Sequence, residues 1–185
     1  MKRKEKQNWL IAGGALLGLL LLSSRAKGAT GGGTGAGAGV ANLSYLGQSG
    51  LPRGMRNNNP GNIRISNTPW QGKIPASQNT DKAFEQFRTW AYGIRAMIKN
   101  LQYYQTNRNL NNLTQIISTW APAADNNDTT AYIAAVSLET GLSPTAYLNL
   151  QDQNTMRKLV KAMSRVENGR QAVTDAQFNY AWSIV

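Results

Sequence analysis

With neither histidine nor cysteine among its 185 residues, this chain must leave metal-free proton transfer to its carboxyls. The two absences exclude thiol nucleophiles, serine–histidine triads, imidazole acid/base chemistry and the usual zinc sites. Only nine acidic residues exist, and apart from Glu5 near the N-terminus each can be weighed in turn. Asp128, Asp152 and Asp175 stand at or beside expected helix starts, where a carboxylate serves as a cap or dipole partner. Asp81 falls in a polar loop, and Glu85, between Phe84 and Phe87, is expected to face solvent. Glu139 and Glu167 each sit at the end of an expected helix, before Thr140-Gly141 and Asn168-Gly169. Unsatisfied carbonyls and the helix dipole disfavour negative charge there and should raise the pKa. A carboxyl that keeps its proton near neutrality can act as a general acid. The competing reading of either is a solvated glutamate at a helix end. Asp125, in the loop after Trp120-Ala121-Pro122, is the candidate for a second carboxylate.

The helix that carries Glu167 spans NTMRKLVKAMSRVENG, Asn154 to Gly169. Leu159, Val160, Met163 and Val166 give it one apolar face. Asp152 or Asn154 can cap its start, and Gly169 can take the left-handed turn at its end. Upstream, Thr89 is expected to cap a helix reaching about Tyr104, and Asn112 one stopping before Pro122. Asp128 should cap Thr129 to Thr140, ended by Gly141, and Ser143-Pro144 can start a short helical turn. Thr174-x-x-Gln177 reads as a capping box for a last helix bearing Phe178, Trp182 and Val185. Ahead of these helices lies LPRGMRNNNPGNIRISNTPWQG, Leu51 to Gly72, dense in Asn, Gly and Pro and therefore turn-rich. Ile63, Ile65, Trp70 and Ile74, with Phe84–Phe87, suggest a small β-like lobe. Its amides and tryptophan suit sugar hydroxyls and the C–H face of a sugar ring. The expected fold is mainly α, one domain over 43–185 with a small loop/β lobe.

The N-terminal part differs in kind. Residues 9–22, WLIAGGALLGLLLL, form an uncharged run flanked by basic groups. As a helix it spans roughly 21 Å, short of a full bilayer core unless Lys6, Arg25 and Lys27 snorkel and Trp9 sits at the interface. A signal peptide is the rival, but Arg25-Ala26-Lys27 puts charge where a cleavage site needs small neutral residues. Residues 1–27 are therefore expected to anchor the chain in a membrane through residues 9–24. The excess of basic groups ahead of the run puts the C-terminal domain on the non-cytoplasmic side of a cell membrane. Residues 28–42, Gly-rich, read as a flexible tether reaching about 20 Å. The net charge of +11 suits an anionic partner: nucleic acid, a membrane surface or a bacterial cell wall. Nucleic acid is the poorest fit, because no basic helix or nucleic-acid motif is present.

Five segments in order, RGMRNNNPGNIR (Arg53–Arg64), GIRA (Gly93–Ala96), IISTWAP (Ile116–Pro122), DTTAYI (Asp128–Ile133) and AMSRVENG (Ala162–Gly169), resemble the lysozyme-like muralytic domain of bacteriophages and prophages. The resemblance covers roughly Leu51 to Asp175. It implies a virion-associated lytic transglycosylase or muramidase that opens the cell wall during infection, held in the virion's internal membrane. It also implies bacterial peptidoglycan as substrate, with capsid or other virion proteins as neighbours and no cofactor or metal. By position the glutamate of the ENG motif is Glu167, and the Asn-rich turn is Asn57–Asn62. Asn59, Asn62 and Tyr132 would orient sugars, Trp70 and Trp120 would stack on them, and Arg53 and Arg56 would meet substrate carboxylates. Relatives tend to read Glu-Asn-Asp-Thr after WAP. Here Asp125-Asn126-Asn127-Asp128-Thr129 has a shorter acid and one extra residue. The lobe also precedes the glutamate helix, so a lysozyme-like architecture requires a circular permutation. The alternative is a catalytically inactive virion structural protein that tethers membrane to capsid or binds cell wall.

Overall fold

A computed structural model of the chain describes residues 39–185. The expected anchor over 1–27, and the tether as far as residue 38, lie outside the described residues. The last residues of that tether, 39–41, are helical. Among the described residues no helix is long and apolar enough to cross a membrane.

The described chain is mainly helical. A single turn, α1 (Arg53–Arg56), opens the lobe, and α2 (Trp90–Arg108) follows it. Next come α3 (Leu113–Trp120), a 3-10 turn (Ala123–Asp125), α4 (Thr129–Thr140), α5 (Gln153–Asn168) and α6 (Asp175–Ser183). Helix α2 is the central beam. Its Trp90, Ile94, Met97, Ile98 and Leu101 are fully buried, and it packs against α5 and α6. Helix α5 meets α4 and α6 through a buried face that includes Met156, Leu159, Val160 and Met163. Each buried aliphatic side chain contributes about 1.5–3 kcal/mol, against about 1 kcal/mol for a cap. Burial therefore sets where the helices are, and caps trim their ends.

Those ends follow local chemistry. The side chains of Asn112, Asp128 and Asp152 accept from backbone N–H groups at the starts of α3, α4 and α5. Thr174 and Gln177 form the full capping box of α6. Gly141 and Gly169 are left-handed and close α4 and α5. Three expectations fail. Thr89 precedes α2, but its hydroxyl makes no cap bond and is buried without a partner. Helix α2 runs four residues past Tyr104, because Asn109 in the left-handed region, not the end of the apolar stripe, terminates it. Ser143-Pro144 leads into bends over 144–146 rather than a helical turn, since the Pro144 carbonyl is spent on the backbone N–H and hydroxyl of Thr114.

The lobe contains no regular strand among the described residues, only antiparallel bridges between Arg64 and Phe84 and between Lys73 and Phe87. Buried polar groups do the work of a ladder. Asp81 pairs with Arg53 at 2.6 Å and accepts from Asn57 at 2.8 Å. Glu85, expected to face solvent, is fully buried, with Oε1 taking Lys73 Nζ at 2.8 Å and the Ser66 N–H at 2.9 Å. The alternation rule fails at Glu85 because the lobe folds over both faces of this segment. Burial alone pushes the Asp81 carboxyl up. The Arg53 guanidinium, the Asn57 amide and the N–H groups of Ala83 and Phe84 outweigh it and hold the carboxyl well below the usual range. A depressed folded pKa gives stability that is complete above the ordinary aspartate range, about pH 3.9, and is lost progressively as pH falls from there through the depressed folded pKa. Chemical unfolding of the full chain should therefore show stability declining below about pH 4, and Asp81→Asn should flatten that decline. An equally steep decline in the variant would reassign it to other carboxyls.

Candidate functional site

Glu167 lies in the last turn of α5, where the lobe meets the helices. Three side chains from three different parts of the chain point donors at its carboxylate. Asn62 Nδ2, from the lobe, donates to Oε2 at 2.9 Å. Trp120 Nε1, from the end of α3, donates to Oε1 at 3.1 Å. The Tyr132 hydroxyl, from α4, lies 3.0 Å from Oε1. All three are neutral, and among the described residues no Lys or Arg forms an ion pair with this carboxyl.

Burial raises the pKa of Glu167, and the bonds from Asn62, Tyr132 and Trp120 only partly oppose it. The direction is that expected from a helix terminus, but the cause is different. A helix-end dipole is worth about 0.3–1 kcal/mol at an exposed position, whereas desolvating a carboxylate costs several. Glu139, the rival, makes the comparison concrete. It also ends a helix, yet it is partly exposed and pairs with Arg165 at 3.7 Å, away from the lobe.

Glu167 opens onto a groove of about 890 Å³ between the lobe and α2–α3, large enough for an extended ligand. Asn62, Arg64 and Trp70 line it from the lobe, Tyr104 and Trp120 from the helices, and Asp125 from the 3-10 turn. Arg64 and Asp125 form a half-exposed ion pair at 3.3 Å across the groove. Asp125 is therefore at the rim and engaged with a cation.

Other residues fall elsewhere. Asn59 does not reach the groove. It is fully buried, bonding the N–H and carbonyl of Ile63 and the carbonyl of Glu85. Asn57 and Asn58 are likewise buried and tie the turn to Asp81, Gln86, Phe87 and Ser44. Three successive amides here replace secondary structure. Tyr132 is buried behind Glu167 and does not line the groove; it touches the carboxyl rather than a sugar. Arg53 is held by Asp81 and lies 4.5 Å over the Phe84 ring, and exposed Arg56 does not line the groove. The cation that does line it is Arg64, which sequence reasoning passes over. Its only early signal is its place at the end of the NNNPGNIR segment.

The Asn62 amide cannot turn round without loss. Its Nδ2 also faces the Glu167 backbone carbonyl at 3.3 Å, so a flip would set oxygen against oxygen. Its Oδ1 points at Gly54, where a Cβ would sit 2.9 Å from it and 2.5 Å from Asn168 Oδ1. Gly54 is thus required by close approach. Among the described residues no cluster of acidic side chains with metal-binding geometry occurs.

Fold and site together define a mainly helical domain with one shielded carboxyl at the mouth of a groove. No protein-family profile matches the chain. It is similar to Protein P5 of Pseudoalteromonas phage PM2, with 36% identity over 125 residues, covering 66% of this chain and 74% of the relative. The chain belongs to the family of that phage protein.

Proposed function

We propose that the chain is a virion-associated enzyme that cleaves bacterial peptidoglycan strands, with Glu167 as general acid and then base. The observation that carries this reading is the Glu167 carboxyl: shielded, without an ion pair among the described residues, held by three neutral donors and open to a groove. Such a group is protonated over a wider pH range than a free glutamate, yet the same donors stabilise the carboxylate once the proton has left. Glycosidic cleavage needs that sequence of states and an oxocarbenium-like transition state.

The one-acid route of a lytic transglycosylase fits best. Glu167 protonates the glycosidic oxygen, and the bond to the muramic C1 breaks. The carboxylate then takes the proton of the same sugar's 6-hydroxyl as its oxygen closes on C1, leaving an anhydro ring. Hydrolysis would ask Asp125 to activate water, and its pairing with Arg64 argues against that role. Trp120 is committed to Glu167 through its N–H, so Trp70 is the better stacking surface. The lysozyme-like architecture in permuted order belongs to the same proposal, supported by the meeting of Asn62 with Glu167 across 105 residues of sequence. So does anchoring in a virion membrane through residues 9–24, supported by their apolar run.

Full-length protein incubated with purified cell wall should release muropeptides with anhydro ends, one water lighter than reducing ends by mass spectrometry. Intact glycan at high protein concentration would leave the tethering protein as the better account. The pH profile provides a second expected result. The first step uses the protonated carboxyl, so the rate should fall as pH rises through a pKa above the ordinary glutamate value of about 4.3. A falling limb at or below that value would mean that Glu167 is not the acid.

A further inference from the structure

Tyr132 faces two acceptors with one proton. Its hydroxyl lies 3.0 Å from Glu167 Oε1 and 3.3 Å from the backbone carbonyl of Met163, four residues upstream on the same helix. The side chain is buried, so water cannot substitute for either partner. Of the three groups around the carboxyl, Tyr132 alone can accept. An indole N–H only donates, and the Asn62 amide is fixed with its amino group toward Glu167.

We infer that Tyr132 is a positioning residue that exchanges hydrogen-bond partners with the protonation state of Glu167. When Glu167 is ionised, the Tyr132 O–H donates to Oε1. When Glu167 is neutral, its O–H donates to the Tyr132 oxygen, and the Tyr132 proton turns to the Met163 carbonyl. For transfer the carboxyl O–H turns from the Tyr132 oxygen toward the groove, and as that proton leaves, the Tyr132 proton swings back to Oε1. No proton is gained or lost by Tyr132, and neither state leaves the Tyr132 hydroxyl or the Glu167 carboxyl without a partner, a loss that would cost about 1–3 kcal/mol. Burial, followed by the adjacent Glu167 charge, keeps the Tyr132 hydroxyl protonated well above its ordinary pKa. Tyr132 therefore relays orientation and not net charge.

The other ionisable groups lining the groove are Arg64 and Asp125, paired with each other, and Tyr104 on α2, while the Glu139–Arg165 pair joins α4 to α5 outside it. None of them bonds Glu167. The inference deepens the acid/base role proposed for Glu167, but its test reads titration and not cleavage, so the two can fail separately.

The test is carbon NMR of the full chain in detergent micelles, with 13C label in the Glu167 carboxyl, the Met163 carbonyl and Tyr132 Cζ. All three signals should move with one midpoint as pH is varied. In Tyr132→Phe the Met163 signal should stop titrating and the Glu167 midpoint should move up, because a donor to the carboxylate is gone. A Met163 carbonyl that stays flat through the Glu167 titration in the parent chain would overturn the inference. So would an undiminished Met163 response in Tyr132→Phe, because the helix backbone would then carry the coupling. If the variant fails to fold, the parent's Met163 and Tyr132 signals decide by whether they share the Glu167 midpoint.

Discussion

Glu167→Gln should lower peptidoglycan cleavage by about 10²–10⁴-fold, the contribution typical of a positioned proton donor, while far-UV circular dichroism stays at the parent value. The amide has nearly the shape of the carboxyl but no transferable proton. Its oxygen can still accept from Trp120 and Tyr132. Its amino group then faces that of Asn62, a mismatch of about 1–3 kcal/mol. Relief from desolvating a carboxyl offsets part of this, because a raised folded pKa costs stability that grows as pH rises past the unfolded value and is complete above the folded one. The variant should therefore fold and be inactive. Two controls sharpen the result. Glu139→Gln removes the other helix-end glutamate and should leave cleavage near the parent rate. Asp125→Asn should leave most of the activity on a one-acid route and abolish it if hydrolysis depends on that carboxylate. Parent-level clearing by Glu167→Gln on cell-wall zymograms would end the enzymatic reading.

The largest effect on stability should come from Gly93→Ala. Gly93 lies in the first turn of α2, where the helix presses against the Asn-rich turn, and an added Cβ would stand 1.7 Å from the Asn58 carbonyl oxygen. That atom is backbone, in a residue held left-handed at φ 50° and bonded through its side chain to Ser44 and Phe87. The turn cannot give way without breaking those bonds. A loss of about 3 kcal/mol or more is expected, roughly 10 °C in melting temperature for a chain of this size. Gly141→Ala provides the comparison. Its Cβ would meet open space, and only the left-handed backbone opposes it, a cost of about 1 kcal/mol. Equal melting temperatures for the two variants would show that the turn yields more easily than its bonding implies.

The helices were legible because their signals are local. Asp128, Gly141, Thr174 and Gln177 each act within four residues of themselves, and the apolar face of α5 repeats at helical spacing. The lobe was not legible in the same way. Asn59 and Asn62 are identical residues three apart in one turn, yet one is buried under Ile63 and Glu85 while the other touches Glu167. What separates them is the path of a backbone that is left-handed at Asn58 and Asn62, and neither composition nor periodicity encodes that path. Glu85 fails for a related reason. Its counter-ion, Lys73, comes from across the lobe, and alternation with Phe84 and Phe87 says nothing about what covers the second face. The resemblance points Tyr132 toward sugar, and it stands instead behind the carboxyl. Its residue type was informative and its direction was not.

The single amide that joins position 62 to position 167 has a consequence for integrity. Helix α5 packs on α2 and α4 through its own apolar face, and Trp120 and Tyr132 cover one oxygen of its terminal carboxyl, but the other oxygen takes its donor from the loop region. A chain clipped between these points and loosened would lose the Asn62 donor and leave Glu167 a more exposed acid. The setting of this carboxyl thus depends on two distant parts of the chain staying docked.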